Sequence, residues 1–341
     1  MTPSLTVLMP AFNSALTIET AIESILGQTY SDFEFLIFDD GSLDDTAARI
    51  KSYAEKDRRI RLIENGINLG LIRTLNRGLD EARGQFIARM DADDISRPRR
   101  FEMQMNFLRD HPDVAVCGTA LREFGGSRNR TTRPPLGHET IIAHMVFDCP
   151  IAHPSVVIRN SVLKKHNLRY NAAHKHAEDL GLWLAISRFA KLANLPDVLL
   201  DYRVSQHSIT GVLRRDSHAF AERQRAERIL CSDVFERLGL QVTPSQLDLH
   251  LASLWPATAA TISLEQLDAW YEILLNAARG TTGVDVRGFA QELAHRRILS
   301  YRWNKSTGLK KYRQFRTSAI GNRLPLQFTA ELKFLLRSIF G

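Results

Sequence analysis

Three acidic groupings have the residue types and spacing that could do chemistry. Asp39 and Asp40 run into Gly41 and Ser42, Asp91, Asp93 and Asp94 stand within four residues, and Glu178 and Asp179 are adjacent. In an extended segment residues i and i+2 face the same side, so Asp91 and Asp93 converge hard carboxylate oxygens on one point. That donor set suits Mg2+ or Mn2+ bridging a diphosphate. A solvated acidic turn ahead of a capped helix has the same spacing. A strand-end aspartate such as Asp39 or Asp40 is as readily a helix cap. An acidic pair opening a helix, as Glu178 and Asp179 would, is by itself most simply a charge favoured by the helix dipole. His153, between Ala152 and Pro154, reads as a loop histidine, and a surface loop accounts equally well for His174 and His176 near Asp179.

Ligands of open α/β sheets bind beyond the carboxyl ends of the strands, so the elements that deliver these residues decide their weight. From Leu5 to about Tyr202, short apolar runs alternate with amphipathic stretches, which predicts an α/β fold with a mostly parallel sheet flanked by helices. Strands are expected at Leu5 to Phe12, Phe33 to Phe38, Ile60 to Ile63, Gln85 to Met90, Val114 to Phe124, Ser155 to Arg159 and Val198 to Val204. Helices are expected from an Asn13 cap to about Gly27, from Asp44 to Asp57, from Gly70 to about Ala82, after a Ser96 cap with Pro98 in the first turn, and from Ala177 to Ala190. Asp39 and Asp40 then follow the second strand, and Asp91 to Asp94 the fourth. Beyond Arg214 the periodicity is helical, over 216–238, 245–254, 264–279 and 286–302. The expected organisation is a catalytic domain over 1–212 and a helical region over 213–341.

With 44% hydrophobic and 24% charged residues, the chain has an ordinary globular composition. Its net charge of +7 is concentrated at one end, residues 281–341 holding 12 Lys and Arg against 3 Asp and Glu. In that tail Leu326, Phe328, Leu332, Leu335, Leu336, Ile339 and Phe340 are interleaved with Lys333 and Arg337, after the basic run Lys310, Lys311, Arg313, Arg316 and Arg323. The pattern fits an interfacial helix drawn to anionic lipid, and equally a terminal helix packed on the protein's own core. No nucleic-acid motif accompanies it, and the more acidic remainder would repel a polyanion, so nucleic acid is not an expected partner. The N-terminus lacks the basic and long apolar regions of a leader, and no apolar run reaches the roughly 18 residues of a spanning helix. Cys117, Cys149 and Cys231 are widely spaced, suggesting neither a disulfide framework nor a zinc site. A cytoplasmic location, peripheral to the membrane if the tail binds lipid, is the expectation. There is no GxGxxG after the first strand and no GxxxxGK[ST], which leaves more of the phosphate neutralisation to a metal.

The opening LTVLMPAFNSALTIETAIESILGQTYSDFEFLIFDDGSLDDT resembles the start of the family 2 glycosyltransferases, inverting enzymes of the GT-A fold, with Phe12 where a tyrosine is commoner. NLG at Asn68 to Gly70, ARG at Ala82 to Gly84, MDADDISRPRRFEMQ from Met90, CPIAHPSVVIRNSVL and HAEDLGLW continue the likeness over about the first 210 residues. The resemblance implies that Pro10, Phe12 and Asn13 belong to the nucleoside pocket, that Asp40 bonds the nucleobase with Asp39 beside it, and that Arg73 approaches the nucleotide. It implies a DxD motif in which Asp93 ligates a divalent metal (Mn2+ or Mg2+) and Asp91 lies near the ribose or the metal shell. Asp94 is their neighbour. Asp179, followed by Leu182 and Trp183, becomes the catalytic base, with Glu178 and His153 on the acceptor side. Family members often carry a histidine soon after an arginine, within reach of the metal or diphosphate. Here Ser205 has that position after Arg203, and His207 follows two residues later. The function implied is sugar transfer from a nucleotide sugar, UDP-linked on family grounds, to a glycan or lipid-linked glycan acceptor in bacterial-type surface polysaccharide or glycolipid synthesis. A catalytically silent nucleotide-sugar-binding scaffold on the same fold is the rival, against which the intact Asp93 and Asp179 argue.

Overall fold

A computed structural model describes residues 3–126, 129–205, 209–213, 215–305 and 309–324. The chain divides into two compact units, one formed by residues up to 138 together with 150–226, the other by 139–149 together with the chain from 227 onward.

The first unit is built on strands too apolar to face water on either side. β1 (Leu5–Ala11) and β2 (Phe33–Asp39) are buried at every position, as central strands of a helix-covered parallel sheet must be. In chain order the elements are β1, α1 (Ile18–Leu26), β2, α2 (Thr46–Ala54), β3 (Ile60–Glu64), α3 (Leu71–Glu81), β4 (Phe86–Arg89), β5 (Ile95–Ser96), α4 (Arg100–Asp110), β6 (Val114–Phe124), β7 (Arg130–Thr131), α5 (His138–Met145), β8 (Val157–Arg159), α6 (Asn160–Lys165), α7 (Glu178–Ile186) and β9 (Lys191–Arg203). The sheet order is β3-β2-β1-β4-β8-β6-β9-β5, with β7 paired to β6. The first four strands in that order are parallel, β8 is antiparallel to both its neighbours, β9 runs parallel to β6, and β5 pairs antiparallel with β9. The result is the α/β, mostly parallel sheet flanked by helices that the sequence predicts.

Alternation along the strands sorts the core. Leu5, Val7 and Met9 of β1 and Phe33, Phe35 and Ile37 of β2 join Ile22 and Ile25 of α1, Ile50 of α2 and Phe101 and Leu108 of α4 in one buried cluster. Leu8, one residue out of phase, meets α3 at Gly78 instead. Each such aliphatic or aromatic burial stabilises by about 1.5–3 kcal/mol.

Several expectations shift, among them the helix expected to reach Ala190, which ends at Ile186. The helix expected to start from an Asn13 cap begins at Ile18, because Asn13 takes a left-handed φ of 47° and its side chain accepts the Leu43 N–H at 2.9 Å. Ser96 is not a cap: it pairs with Leu200 in β5, and α4 starts at Arg100. β9 starts at Lys191, seven residues earlier than the apolar run suggests. Pairing with β6 carries it across Pro196 and Asp197, where the register shifts between Thr119 and Ala120 and no ladder partner is needed from the proline.

Gly84, between α3 and β4, is required by close approach. A Cβ there would lie 2.4 Å from the Thr6 nitrogen and 2.7 Å from the Phe86 oxygen, both backbone atoms, while the Gly84 N–H donates to Thr6 Oγ1 at 2.8 Å. Side-chain adjustment cannot relieve a backbone clash, so Gly84→Ala is expected to destabilise the unit by about 3 kcal/mol, read as a lower urea midpoint. An unchanged midpoint would contradict this packing.

α8 (Ile209–Leu213) follows β9, and α9 (Ser217–Arg237) runs across the 226/227 boundary. The second unit is helical: α10 (Pro244–Leu254), α11 (Pro256–Ala259), α12 (Leu264–Gly280), α13 (Val286–Trp303) and α14 (Leu309–Thr317). Thr243 and Gln246 form a reciprocal capping box at the start of α10. Within this unit the buried Asp268 carboxylate accepts from Arg297 at 2.7 and 3.0 Å and from the Tyr301 hydroxyl at 2.7 Å, which satisfies a buried charge that would otherwise be costly. Among the described residues no helix is long and apolar enough to cross a membrane. The apolar tail residues from Leu326 to Phe340 lie outside the described residues.

Candidate active site

The loops after β1 and β2 are laced together before any ligand is considered. The Asn13 N–H donates to Ser42 Oγ at 3.0 Å, the Ser14 N–H to Thr46 Oγ1 at 2.7 Å and the Ala15 N–H to Asp44 at 3.1 Å. Gly41, at φ 74°, lets this loop touch the next: a Cβ would sit 2.5 Å from the Ile67 carbonyl carbon. Asp40 ties the third loop in. Its buried carboxylate accepts from Asn65 Nδ2 at 2.6 Å, Leu69 N–H at 3.0 Å, Gly70 N–H at 3.0 Å and Thr74 Oγ1 at 2.8 Å. Three of the four bonds fall on Oδ1, so the spare acceptance is on Oδ2. Asp39 accepts the Ser42 N–H on Oδ2 at 3.1 Å, while its buried Oδ1 has no partner among the described residues. Pro10 is buried within β1, Phe12 is 44% exposed just past it, and Arg73 is exposed on the first turn of α3.

At the end of β4 the carboxylates of Asp91, Asp93 and Asp94 offer oxygens within 4.8 Å of one another. Arg100 braces this strand end from below. Fully buried, it donates to the Arg89 carbonyl at 2.8 Å, to the Val156 carbonyl at 3.3 Å and to Gln104 at 3.1 Å. Burial, followed by the charge of Asp91, pushes the Asp93 carboxyl up to about 6. Burial, then the charges of Asp91 and Asp93, also raises the Asp94 carboxyl well above its ordinary value. Carboxylates that raise one another in this way form a site that gains from a cation. Asp94 Oδ2 is buried without a partner among the described residues, and the all-oxygen donor set matches Mg2+ or Mn2+, so the residues fit the implied metal. The other Asp94 oxygen accepts the Arg203 N–H at 2.8 Å, and Arg203 Nε donates to the Asp93 carbonyl at 2.8 Å, which clamps the acidic turn to the end of β9. His207 lies outside the described residues.

Glu178 and Asp179 open α7. Glu178 is buried and Asp179 half-buried, with Asp179 Oδ1 accepting the Leu180 N–H at 2.8 Å. His153 is buried against Trp183 and shares a 2.8 Å hydrogen bond with the Tyr170 hydroxyl. Burial, then the Arg89 charge, holds this histidine well below the usual range and therefore neutral. Tyr170 is itself fixed by Asn76 of α3, which bonds its backbone N–H and C=O at 3.0 and 2.8 Å. Arg89 joins the two acidic groups: it is ion-paired to Asp91, and its charge also reaches Glu178 and Asp93. Neither Arg89 nor Tyr170 belongs to the motifs that the sequence presents. For Arg89 the available signal was a charge ending the apolar run Phe86 to Ala88, where an unpaired cation would be prohibitive. Tyr170 offers no local signal.

Burial, then the Asp179 charge, pushes Glu178 up to about 7 from 4.5. A carboxyl raised in the fold keeps a proton that the unfolded chain releases, so it makes stability fall as pH rises from about 4.5 to 7, by about 3 kcal/mol in all. Glu178→Gln removes that dependence. The variant is expected to exceed the wild type in stability at pH 8, with the advantage shrinking towards pH 4.5, in urea melts at several pH values. A pH-independent difference would refute the assignment.

A mostly parallel sheet carrying an acidic turn at the carboxyl end of a central strand, with a second acidic pair opening a later helix, has the architecture of GT-A nucleotide-sugar transferases. Residues 6–166 match the family model described as glycosyl transferase family 2. An uncharacterised glycosyltransferase of Haemophilus influenzae is 33% identical over 237 residues, 67% of this chain and 73% of that protein. An Escherichia coli protein named as the UDP-Glc:alpha-D-GlcNAc-diphosphoundecaprenol beta-1,3-glucosyltransferase WfgD is 28% identical over 207 residues, 60% of this chain and 79% of that one. Among solved structures, residues 1–349 of Staphylococcus aureus TarS in complex with UDP-GlcNAc superpose with a TM-score of 0.57 at 17% identity, covering 91% of each chain. A longer TarS chain is matched over 54% of its length. The chain belongs to glycosyl transferase family 2, and it is a glycosyltransferase.

Proposed function

We propose that this chain moves a sugar from a UDP-sugar to a hydroxyl of a lipid-linked glycan, with inversion at the anomeric carbon, in the assembly of a surface polysaccharide. The observation that carries the reading is the gathering of the Asp91–Asp93–Asp94 turn and the Glu178–Asp179 pair around one buried arginine in a single unit. The nucleobase meets the lip formed by Pro10, Phe12 and Asn13, with Arg73 towards the nucleotide. The one ring N–H of uracil finds the acceptance left over on Asp40 Oδ2, with Asp39 beside it. Asp93, with Asp94 and Asp91, would hold a divalent cation, whose chemistry is to neutralise charge on a departing diphosphate. Asp179 is the more accessible member of its pair and takes the acceptor proton as the oxygen attacks. Glu178 and the neutral His153–Tyr170 pair form the wall on the acceptor side. The UDP donor and the diphosphate-lipid acceptor are the chemistry named for the relative WfgD.

Diphosphate release with a panel of nucleotide sugars, with and without a lipid-diphosphate sugar acceptor, tests the reading. Acceptor-dependent UDP release supports it. Nucleotide binding without turnover on any acceptor would favour the scaffold reading instead.

A further inference from the structure

Arg89 ends β4 as a buried cation, and removing a guanidinium from water is costly unless its donors find acceptors. Arg100, one strand-turn away, shows what an architectural arginine does: it places its donors on two backbone carbonyls and the Gln104 side chain. Arg89 does otherwise. Its ion pair goes to Asp91, a member of the acidic turn, and its Nε and Nη1 have no partner among the described residues. It therefore occupies one oxygen of a potential metal ligand and adds a positive charge beside a turn whose carboxylates lie within 4.8 Å of one another.

Resting on the reading that this turn holds a divalent cation, we propose that Arg89 is a positioning residue that competes with that cation for Asp91. Without nucleotide, the buried guanidinium repels the cation and keeps Asp91 engaged, so the ion is held weakly. When a nucleoside diphosphate supplies its own anionic oxygens, the balance shifts and the ion is held tightly. Cation and diphosphate then enter as a linked pair, each raising the affinity of the other by the same factor. The asymmetry of the Arg89 contacts fits such a role: an arginine with all its donors fixed would brace the strand, whereas one tied mainly to Asp91 biases the site.

The test is Mn2+ binding to the full chain, by calorimetry and by the paramagnetic resonance signal of free Mn2+, with and without UDP. The wild type is expected to bind Mn2+ about tenfold or more tightly with UDP than alone. Arg89→Met should bind Mn2+ alone about tenfold more tightly than the wild type, with a smaller gain from UDP, whereas Arg89→Lys, which keeps the charge, should stay close to the wild type. Equal or weaker binding of Mn2+ alone by Arg89→Met would overturn the proposal. If circular dichroism shows that Arg89→Met does not fold, Arg89→Gln carries the same expectation. A wild type that binds Mn2+ equally well with and without UDP overturns the proposal with no variant needed. Failure of this inference is separable from failure of the metal reading. If Asp93→Asn abolishes Mn2+ binding in the presence of UDP and Arg89→Met changes nothing, only the role of Arg89 is lost. If Mn2+ does not bind even with UDP, both are lost.

Discussion

Asp179→Asn is expected to lower kcat by about 10²-fold or more while leaving UDP affinity nearly unchanged. A sugar hydroxyl is far too weak an acid to be deprotonated outright by a carboxylate of reference pKa about 3.9, so proton transfer must accompany attack, and the base must stand within hydrogen-bond reach of the nucleophile. Asn keeps the shape of Asp179 and removes the proton acceptor. The loops proposed to take the nucleotide are held by the separate Asp40 network and by the lacing between Asn13 and Ser42, which the substitution does not touch. Glu178→Gln is the control, since it changes charge at the same helix start, and its defect should be the milder one. Steady-state UDP release decides the matter. Near-wild-type turnover in Asp179→Asn, or inactivity confined to Glu178→Gln, would move the base to another residue and leave the family assignment intact.

The second large effect is expected at Asp93. Asp93→Ala should abolish transfer while the protein stays folded, and EDTA should do the same to the wild type, with Mn2+ or Mg2+ restoring activity. Asp93 is the middle member of the acidic turn, and burial together with its neighbour's charge already penalises its ionised form. Losing it relieves that repulsion, so the fold should gain or hold stability even as turnover falls by about 10³-fold, in the range for removing a principal transition-state charge stabiliser. Thermal melts beside the activity assay separate the two effects. Full activity in excess chelator would end the metal reading.

Where local pattern and tertiary demand agree, the sequence was sufficient. β6 occupies Val114–Phe124 as its apolar run predicts, and α10, α12 and α13 fall within a residue or two of their helical periods. The acidic grouping is legible because it is local, although a turn at Ala92 and Asp93 past the end of β4, not an extended i and i+2 pairing, brings the carboxylates together. What escaped depends on partners far along the chain. Asn13 looks like a cap, yet its side chain is committed to Leu43, thirty residues away. Pro196 argues against a strand, yet the register shift against β6 accommodates it. Arg89 and Tyr170 carry no motif, and they gain meaning only when β4, α3 and α7 bring Asp91, Asn76 and Glu178 around them.

The Asp40 carboxylate, bonded to groups from Asn65 to Thr74 while its own strand end leads into the loop laced to β1, acts as a single rivet through three loops. With the nucleotide bound where proposed, loops already fastened have little conformational freedom left to surrender, so more of the contact energy is available as affinity. The entropic penalty of capture was met once, during folding. On the donor side the protein should behave as a rigid mould, its calorimetric binding signature dominated by the ligand's own desolvation and not by ordering of the chain.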